Sequence, residues 1–123
     1  MDDKKSAVEL FEMSVAHVGI NADGAEEAGR WAEEFLTLLG LPKRETPVSY
    51  FSGELVEIMK QNGRGTRGHI GFKVNNCEKA MQYFEGRGVR FLEETKKFKE
   101  DGTCFFAYMD REIAGFAIHL TEG

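Results

Sequence analysis

The chain holds three histidines, and two of them open the same phrase. Ala16-His17-Val18-Gly19-Ile20 returns, conservatively altered, as Gly68-His69-Ile70-Gly71-Phe72. A repeat at that period in a chain of 123 residues means two copies of one supersecondary unit. The third histidine, His119, closes the second copy where Glu57 closes the first. Imidazoles and a carboxylate at equivalent ends of two half-domains are what a metal site built between them needs. A strand histidine taken singly is more often structural than metal-bound, so it is the equivalent placement of these residues that favours ligation.

Other chemistry finds less support. Cys77 and Cys104 are too few and too isolated for a disulfide framework or a cysteine-ligated zinc site, and neither sits in a recognisable pairing with a histidine. They read as ordinary buried thiols. No Gly-x-Ser-x-Gly elbow is present. Gly63-Arg64-Gly65-Thr66-Arg67-Gly68 has the composition of a phosphate-cradling loop. It precedes a strand instead of opening a helix, and so lacks the helix N-terminus that gives such loops their affinity. It is expected to be a mobile linker, with Arg64 and Arg67 available to an anionic substrate.

The elements that must carry these residues follow from patterning. Val15 to Ile20 suits a strand, and Asp23 with Glu26 predicts a capping box that starts a helix. Ala28, Trp31, Ala32, Phe35, Leu38 and Leu39 fall on one face of that helix, Gly40 ends it, and Pro42 prevents its resumption. Val48 to Phe51 and Leu55 to Met59 form a hairpin around Ser52-Gly53-Glu54. The second half repeats the order. His69 to Val74 is a strand, Asn76 caps a helix bearing Cys77, Ala80, Met81 and Phe84, and Gly86 and Gly88 stop it. Val89 to Lys99, Cys104 to Met109 and Gly115 to Leu120 are then expected as strands. The stretch from Glu57 to His119 is longer than that from His17 to His69, and the excess is assigned to a longer hairpin around Gly102. Ala7, Val8, Leu10 and Phe11 allow a short amphipathic helix ahead of the repeat, as readily as a frayed terminus.

Alternation puts the candidate ligands on one surface, because residues two apart on a strand share a face. His17 and Gly19 oppose Ala16, Val18 and Ile20. His69 and Gly71 oppose Ile70, Phe72 and Val74, while His119 opposes Phe116, Ile118 and Leu120. Each histidine is thus flanked by very small residues, which leave room for a ligand on the face the helices do not cover. Leu55 and Met59 share the face of Glu57 and are expected as apolar walls of the same cavity. Phe105, Phe106, Tyr108 and Phe116 read as core plus one cavity wall.

Composition narrows the class further. A net charge of -5 and only short basic runs argue against nucleic-acid binding. The charged start from Met1 to Ser6 and the absence of any apolar run of about 18 residues predict neither a signal peptide nor a membrane span. Two unpaired cysteines favour a reducing cytoplasmic location.

The two βαβββ halves, the strand-borne His-Val-Gly-Ile and His-Ile-Gly-Phe, and the strand-terminal Val-Glu-Ile and Ile-His-Leu resemble the vicinal oxygen chelate superfamily. This is the group of glyoxalase I, methylmalonyl-CoA epimerase, extradiol dioxygenases and bleomycin-resistance proteins. The resemblance implies an α+β fold whose two βαβββ modules form a curled, cup-shaped mixed sheet with helices on the outer face. It divides the chain into an extension over residues 1–13 and a single domain over 14–123. Module one is 14–62, the linker 63–67 and module two 68–123. It carries the family's metal positions onto His17, Glu57, His69 and His119, with Glu57 also the remaining proton acceptor.

The chain is also similar to the glyoxalase-like extension that follows the barrel in some bacterial 2-keto-3-deoxy-phosphogluconate aldolases, including the entering Ala-Val-Glu-Leu-Phe-Glu-Met stretch. Three imidazoles and one carboxylate suit Zn, Ni, Co, Fe or Mn. Two open positions on such an ion would take a 2-keto or 2-hydroxy carbonyl compound, with the enediolate stabilised by the metal. One anionic ligand instead of two leaves a net positive centre, which favours an anionic small-molecule substrate. The expected activity is an isomerase or lyase step. The alternative is a non-catalytic small-molecule binding or sequestration module, or an accessory domain of such an aldolase. Exposed sheet edges favour a homodimer.

Overall fold

The computed structural model describes residues 5–61 and 63–123. The first four residues, which open the charged start and the 1–13 extension, and Asn62, which ends module one, lie outside the described residues. The elements in chain order are α1 (Ala7–Phe11), β1 (Ser14–Asn21), α2 (Ala25–Leu39), β2 (Lys43–Glu45), β3 (Ser49–Ser52) and β4 (Val56–Met59) in the first half. The second half holds β5 (Gly68–Lys73), α3 (Cys77–Glu85), a 3-10 turn (Glu93–Thr95), β6 (Lys97–Phe98), β7 (Cys104–Ile113) and β8 (Phe116–Thr121).

All eight strands join one curled, open sheet in the order β2-β3-β4-β1-β5-β8-β7-β6. Each half is βαβββ, as the repeat requires. β1 and β5 meet antiparallel at the centre, and each pairs in parallel with the last strand of its own half, β1 with β4 and β5 with β8. The parallel pairing is what forces a long crossover, and the helix plus two outer strands supply it in both halves.

The outer face carries two cores, one beneath each main helix. Ala28 and Ala32 of α2 are fully buried on Ile58, with Trp31, Phe35, Tyr50 and Val56 packed around them. Cys77, Ala80 and Met81 of α3 pack with Phe11, Val74, Phe91, Ala107 and Leu120. Burying Ile58 and Leu120 completely stabilises the fold by about 1.5–3 kcal/mol each. These two residues follow Glu57 and His119 in sequence, so strand alternation buries one side chain and turns its neighbour to the opposite face. The short helix α1 forms, closed by a capping box between Ser6 and Glu9 and anchored by Phe11 against Tyr83.

Several expectations are corrected. The predicted Asp23–Glu26 capping box is absent: Gly24 is the N-cap and offers no side chain, while Glu27 accepts the Asp23 backbone N–H at 2.9 Å. Leu38 and Leu39 are exposed rather than facing the core. The 15 residues of α2 span about 22 Å, whereas the four-residue strands β3 and β4 cover about 13 Å, so the last turn overruns the sheet. β2, three exposed charged residues, has no apolar pattern to announce it. Val89 to Lys99 is not one strand, because the 3-10 turn interrupts it and leaves an isolated bridge from Phe91 to Met109 and the two residues of β6. The extra length of module two therefore goes into this irregular segment and the ten-residue β7, and not into the Gly102 hairpin alone.

Linker 63–67 is fastened, not loose. The Asn21 side chain donates to Gly65 O at 2.9 Å and accepts from Gly63 N at 3.1 Å, while Thr66 donates twice to the Glu112 carboxylate. Gly65 has φ +93°, and a Cβ there would stand 1.8 Å from Gly68 O, so the loop's path demands glycine.

Candidate metal centre

The concave face collects His17 from β1, Glu57 from β4, His69 from β5 and His119 from β8. Register explains the convergence. In both parallel pairs the strand-terminal residue stands opposite a glycine, Glu57 opposite Gly19 and His119 opposite Gly71. Those glycines hold the space for imidazoles: a Cβ on Gly19 would lie 2.0 Å from His69 Cε1, and one on Gly71 2.5 Å from His119 Cε1 and 3.0 Å from His17 Cε1. The His-x-Gly phrase is thus a packing instruction as well as a ligand motif.

The nearest ligand nitrogens of His17, His69 and His119 all lie within 4.8 Å of one another. His17 Nε2 and His69 Nε2 are 2.9 Å apart. Two ring nitrogens at that separation either share one proton or turn both lone pairs to one cation. Bonds of about 2.1 Å at right angles would put them about 3.0 Å apart. Glu57 approaches from the same side, its Oε1 3.5 Å from His69 Nε2 and 3.8 Å from His17 Nε2. Its other oxygen accepts a 2.8 Å hydrogen bond from the buried Ser49 hydroxyl, which fixes the carboxylate's direction.

Electrostatics suit a cation. Burial lowers the pKa of His17, with the nearby His69 acting in the same sense and Glu57 opposing it. Burial brings His119 down to about 3, helped by His17 and His69. Both imidazoles are therefore neutral at neutral pH, with a lone pair to give. For Glu57 burial is the largest single influence and pushes the carboxyl up, but contacts from His69 and Ser49 and the charges of His69 and His17 together hold it below the ordinary range. His119 is 1% exposed and its Nδ1 has no hydrogen-bond partner in the described structure. A buried ring nitrogen without a partner costs about 1–3 kcal/mol. The three imidazoles and their spacing fit a divalent ion, with the Glu57 carboxylate beside two of them.

The cluster's surroundings were only partly visible in the sequence. Phe106 stacks on His119 with ring centres 4.4 Å apart, and Tyr108 packs edge-on at 4.8 Å. Burial raises the Tyr108 hydroxyl to about 12, so it stays protonated. Ser49 is the residue sequence reasoning missed. A small polar side chain two residues from Phe51, the partner of Glu57, and so on the same face of the strand, was its signal. The expectation for Leu55 and Met59 is corrected: a cleft of about 540 Å³ reaches His17 and His119, but module one walls it with Phe51 and Glu54. The Ser52–Glu54 turn carries those two to the mouth, while Leu55 is left 54% exposed. The two cysteines are buried, as expected, and burial raises the Cys77 thiol to about 12, which leaves it inert.

No family model matches the sequence, and no curated protein matches it. Solved structures do. A hypothetical protein from Bacillus halodurans C-125 superposes with a TM-score of 0.61 at 18% identity, over 90% of this chain and 94% of that one. A Streptomyces coelicolor methylmalonyl-CoA epimerase in complex with 2-nitronate-propionyl-CoA gives 0.59 at 14% identity, over 86% and 94%. The methylmalonyl-CoA epimerase from Mycobacterium tuberculosis gives 0.54 at 16%, over 87% and 85%. At such identities the likeness shows the fold: this chain has the curled glyoxalase-like sheet that the resemblance implied. Among the described residues no helix is long and apolar enough to cross a membrane.

Proposed function

We propose that the protein is a metal-dependent enzyme of the vicinal oxygen chelate type, an isomerase or lyase that moves a proton on a small 2-keto or 2-hydroxy carbonyl compound. The observation that supports this reading is the meeting of His17, His69 and His119 within 4.8 Å of one another on the concave face, with Glu57 Oε1 beside His17 and His69 and with His17 and His119 neutral. A bound Zn, Ni, Co, Fe or Mn ion would supply Lewis-acid polarisation to two neighbouring substrate oxygens. The chain's own residues supply the rest. Three imidazoles would hold the ion, and Phe106 and Tyr108 pack against His119 and keep its ring in place. Among the described residues Glu57 is the carboxylate beside the cluster, its Oε1 near His17 and His69 while Ser49 holds Oε2, so Oε1 is the acceptor for a proton leaving carbon. One base favours a one-base isomerisation or a lyase step over two-base racemisation.

The finer readings belong to the same proposal. The free edges at β2 and β6 favour a homodimer, and the reduced cysteines a cytoplasmic location. Kinship with the aldolase extension rests on the Ala7 to Met13 stretch of the sequence, whose first five residues form α1. Proton exchange tests the activity. In D2O, with zinc present, the protein should speed the loss of the C3 proton signal of 2-oxobutyrate. Glu57→Gln at saturating zinc should lower that rate about 100-fold or more. An unchanged rate in Glu57→Gln would remove Glu57 as the base. Binding of oxalate with no exchange at all would make the site one for sequestration.

A further inference from the structure

The cleft that reaches His17 and His119 carries more cations than the chemistry at the histidines needs. Lys73, at the end of β5, and Lys97, in β6, both line it, with Glu54 and Gly123 also on its walls. Lys43, Lys60, Lys96 and Lys99 each meet a glutamate, while among the described residues Lys5 and Lys79, both away from the cleft, do not. Among the described residues Lys73 and Lys97 have no acidic partner. Lys97 is nevertheless placed, its ammonium 4.4 Å from the centre of the Phe106 ring, the same ring on which His119 stacks. The cleft's volume of about 540 Å³ falls in the range of small-molecule pockets and exceeds what a pair of chelating oxygens requires. The linker's Arg64 lies over Tyr108 and lines a separate, smaller pocket of about 230 Å³, not the cleft.

Resting on the chelate reading above, we propose that the substrate carries a second anionic group, a carboxylate or a phosphate, seated on Lys73 and Lys97 against Phe105 and Phe106. The molecule lies along the cleft with its neighbouring oxygens at the histidines and its charged tail at the mouth. The lysines act as point charges on flexible stems, which suits either anion. The aromatic wall covers the intervening carbons.

Calorimetry on the zinc-loaded protein at low salt tests this with three probes: 2-oxobutyrate, which has only the chelating head, 2-oxoglutarate, and its distal phosphonate analogue 2-oxo-4-phosphonobutyrate. At least one compound with a distal anion should bind about five- to tenfold more tightly than 2-oxobutyrate, the range expected for two partly exposed ion pairs. Which of the two gains more identifies the tail. In Lys73→Gln/Lys97→Gln that advantage should vanish while 2-oxobutyrate binding holds, and in Arg64→Gln it should persist. Equal affinities for all three probes, or an advantage that survives in the lysine double variant, would overturn the proposal. Failure of all three to bind would count against the chelate reading instead. The lysine site is then judged by titrating inorganic phosphate into metal-free protein. Amide shifts at residues 72–74, 96–98 and 105–106 would support it, and their absence would refute it.

Discussion

The two halves of the molecule place their strand-terminal residues by the same register and then treat them differently. Glu57 and His119 each stand opposite a glycine on a parallel neighbour. Glu57 keeps 15% of its side chain exposed and is steered by the buried Ser49 hydroxyl. His119 is sealed in, stacked on Phe106, with one nitrogen unsatisfied. A duplicated scaffold thus yields one ionised, hydrogen-bonded position and one deeply buried, neutral one. Symmetry sets where the ligands converge, while the residues flanking each position set what each can do. A carboxylate that must accept and release a proton belongs on the wetter side, and an imidazole that only holds an ion belongs on the dry side.

The most damaging change should be one that removes the shared part. Gly71→Ala would put a methyl 2.5 Å from His119 and 3.0 Å from His17, and Gly19→Ala one 2.0 Å from His69. Each should cost about 1–3 kcal/mol by overpacking and lower metal affinity about 10–100-fold, read by thermal unfolding and metal titration. Normal metal affinity in both variants would show that the glycines do not shape the site.

Making the halves alike should come next. His119→Glu gives both halves a carboxylate and removes the net positive charge of the loaded centre. Oxalate affinity should fall about tenfold or more. Equal or tighter oxalate binding would refute the charge argument.

Acid separates the halves without mutation. His119 has a folded pKa of about 3 against an ordinary 6.5, so the unfolded chain takes up its proton first as pH falls. Stability of the metal-free protein should therefore drop by about 1.4 kcal/mol per pH unit as pH falls from 6.5 towards 3. Glu57 is held below its ordinary 4.5, so what it contributes is present above that value and is lost only in stronger acid. Denaturant melts across this range should show the upper slope reduced in His119→Phe, to what His17 contributes, and the lower one retained. A flat wild-type profile between pH 4 and 6.5 would contradict the burial of neutral His119.

The smallest expected effect is in the first half alone. Ser49→Ala removes one hydrogen bond to the Glu57 carboxylate and should cost about 1–2 kcal/mol, with the Glu57 titration moving upward by NMR. Metal should still bind.

Much of this was legible in the sequence because duplication writes a register twice. The His-x-Gly phrase located β1 and β5, and alternation turned His17, His69 and His119 away from Ile58, Ile118 and Leu120, which are buried on the other face. What stayed hidden depended on contacts between segments remote in sequence. The Asn21 clamp on the linker joins residues more than forty positions apart, and a glycine-rich composition with no periodicity reads as loose until that partner is seen. β2 and β6 are too short and too polar to carry a strand pattern, and the 3-10 turn at Glu93–Thr95 has no apolar period to mark it. Phe105, Phe106, Tyr108 and Phe116 read as core plus one cavity wall, and which of them stands against a histidine stayed hidden because an aromatic on a strand does not declare its neighbour.

The central claim is most directly tested by metal titration of the purified, chelator-stripped protein, with zinc and nickel followed by calorimetry. The account predicts one equivalent bound per chain, with affinity falling at least tenfold in His17→Ala and in His69→Ala while both variants remain folded. Absence of a stoichiometric site in the wild type, or binding that both substitutions leave unchanged, would contradict it.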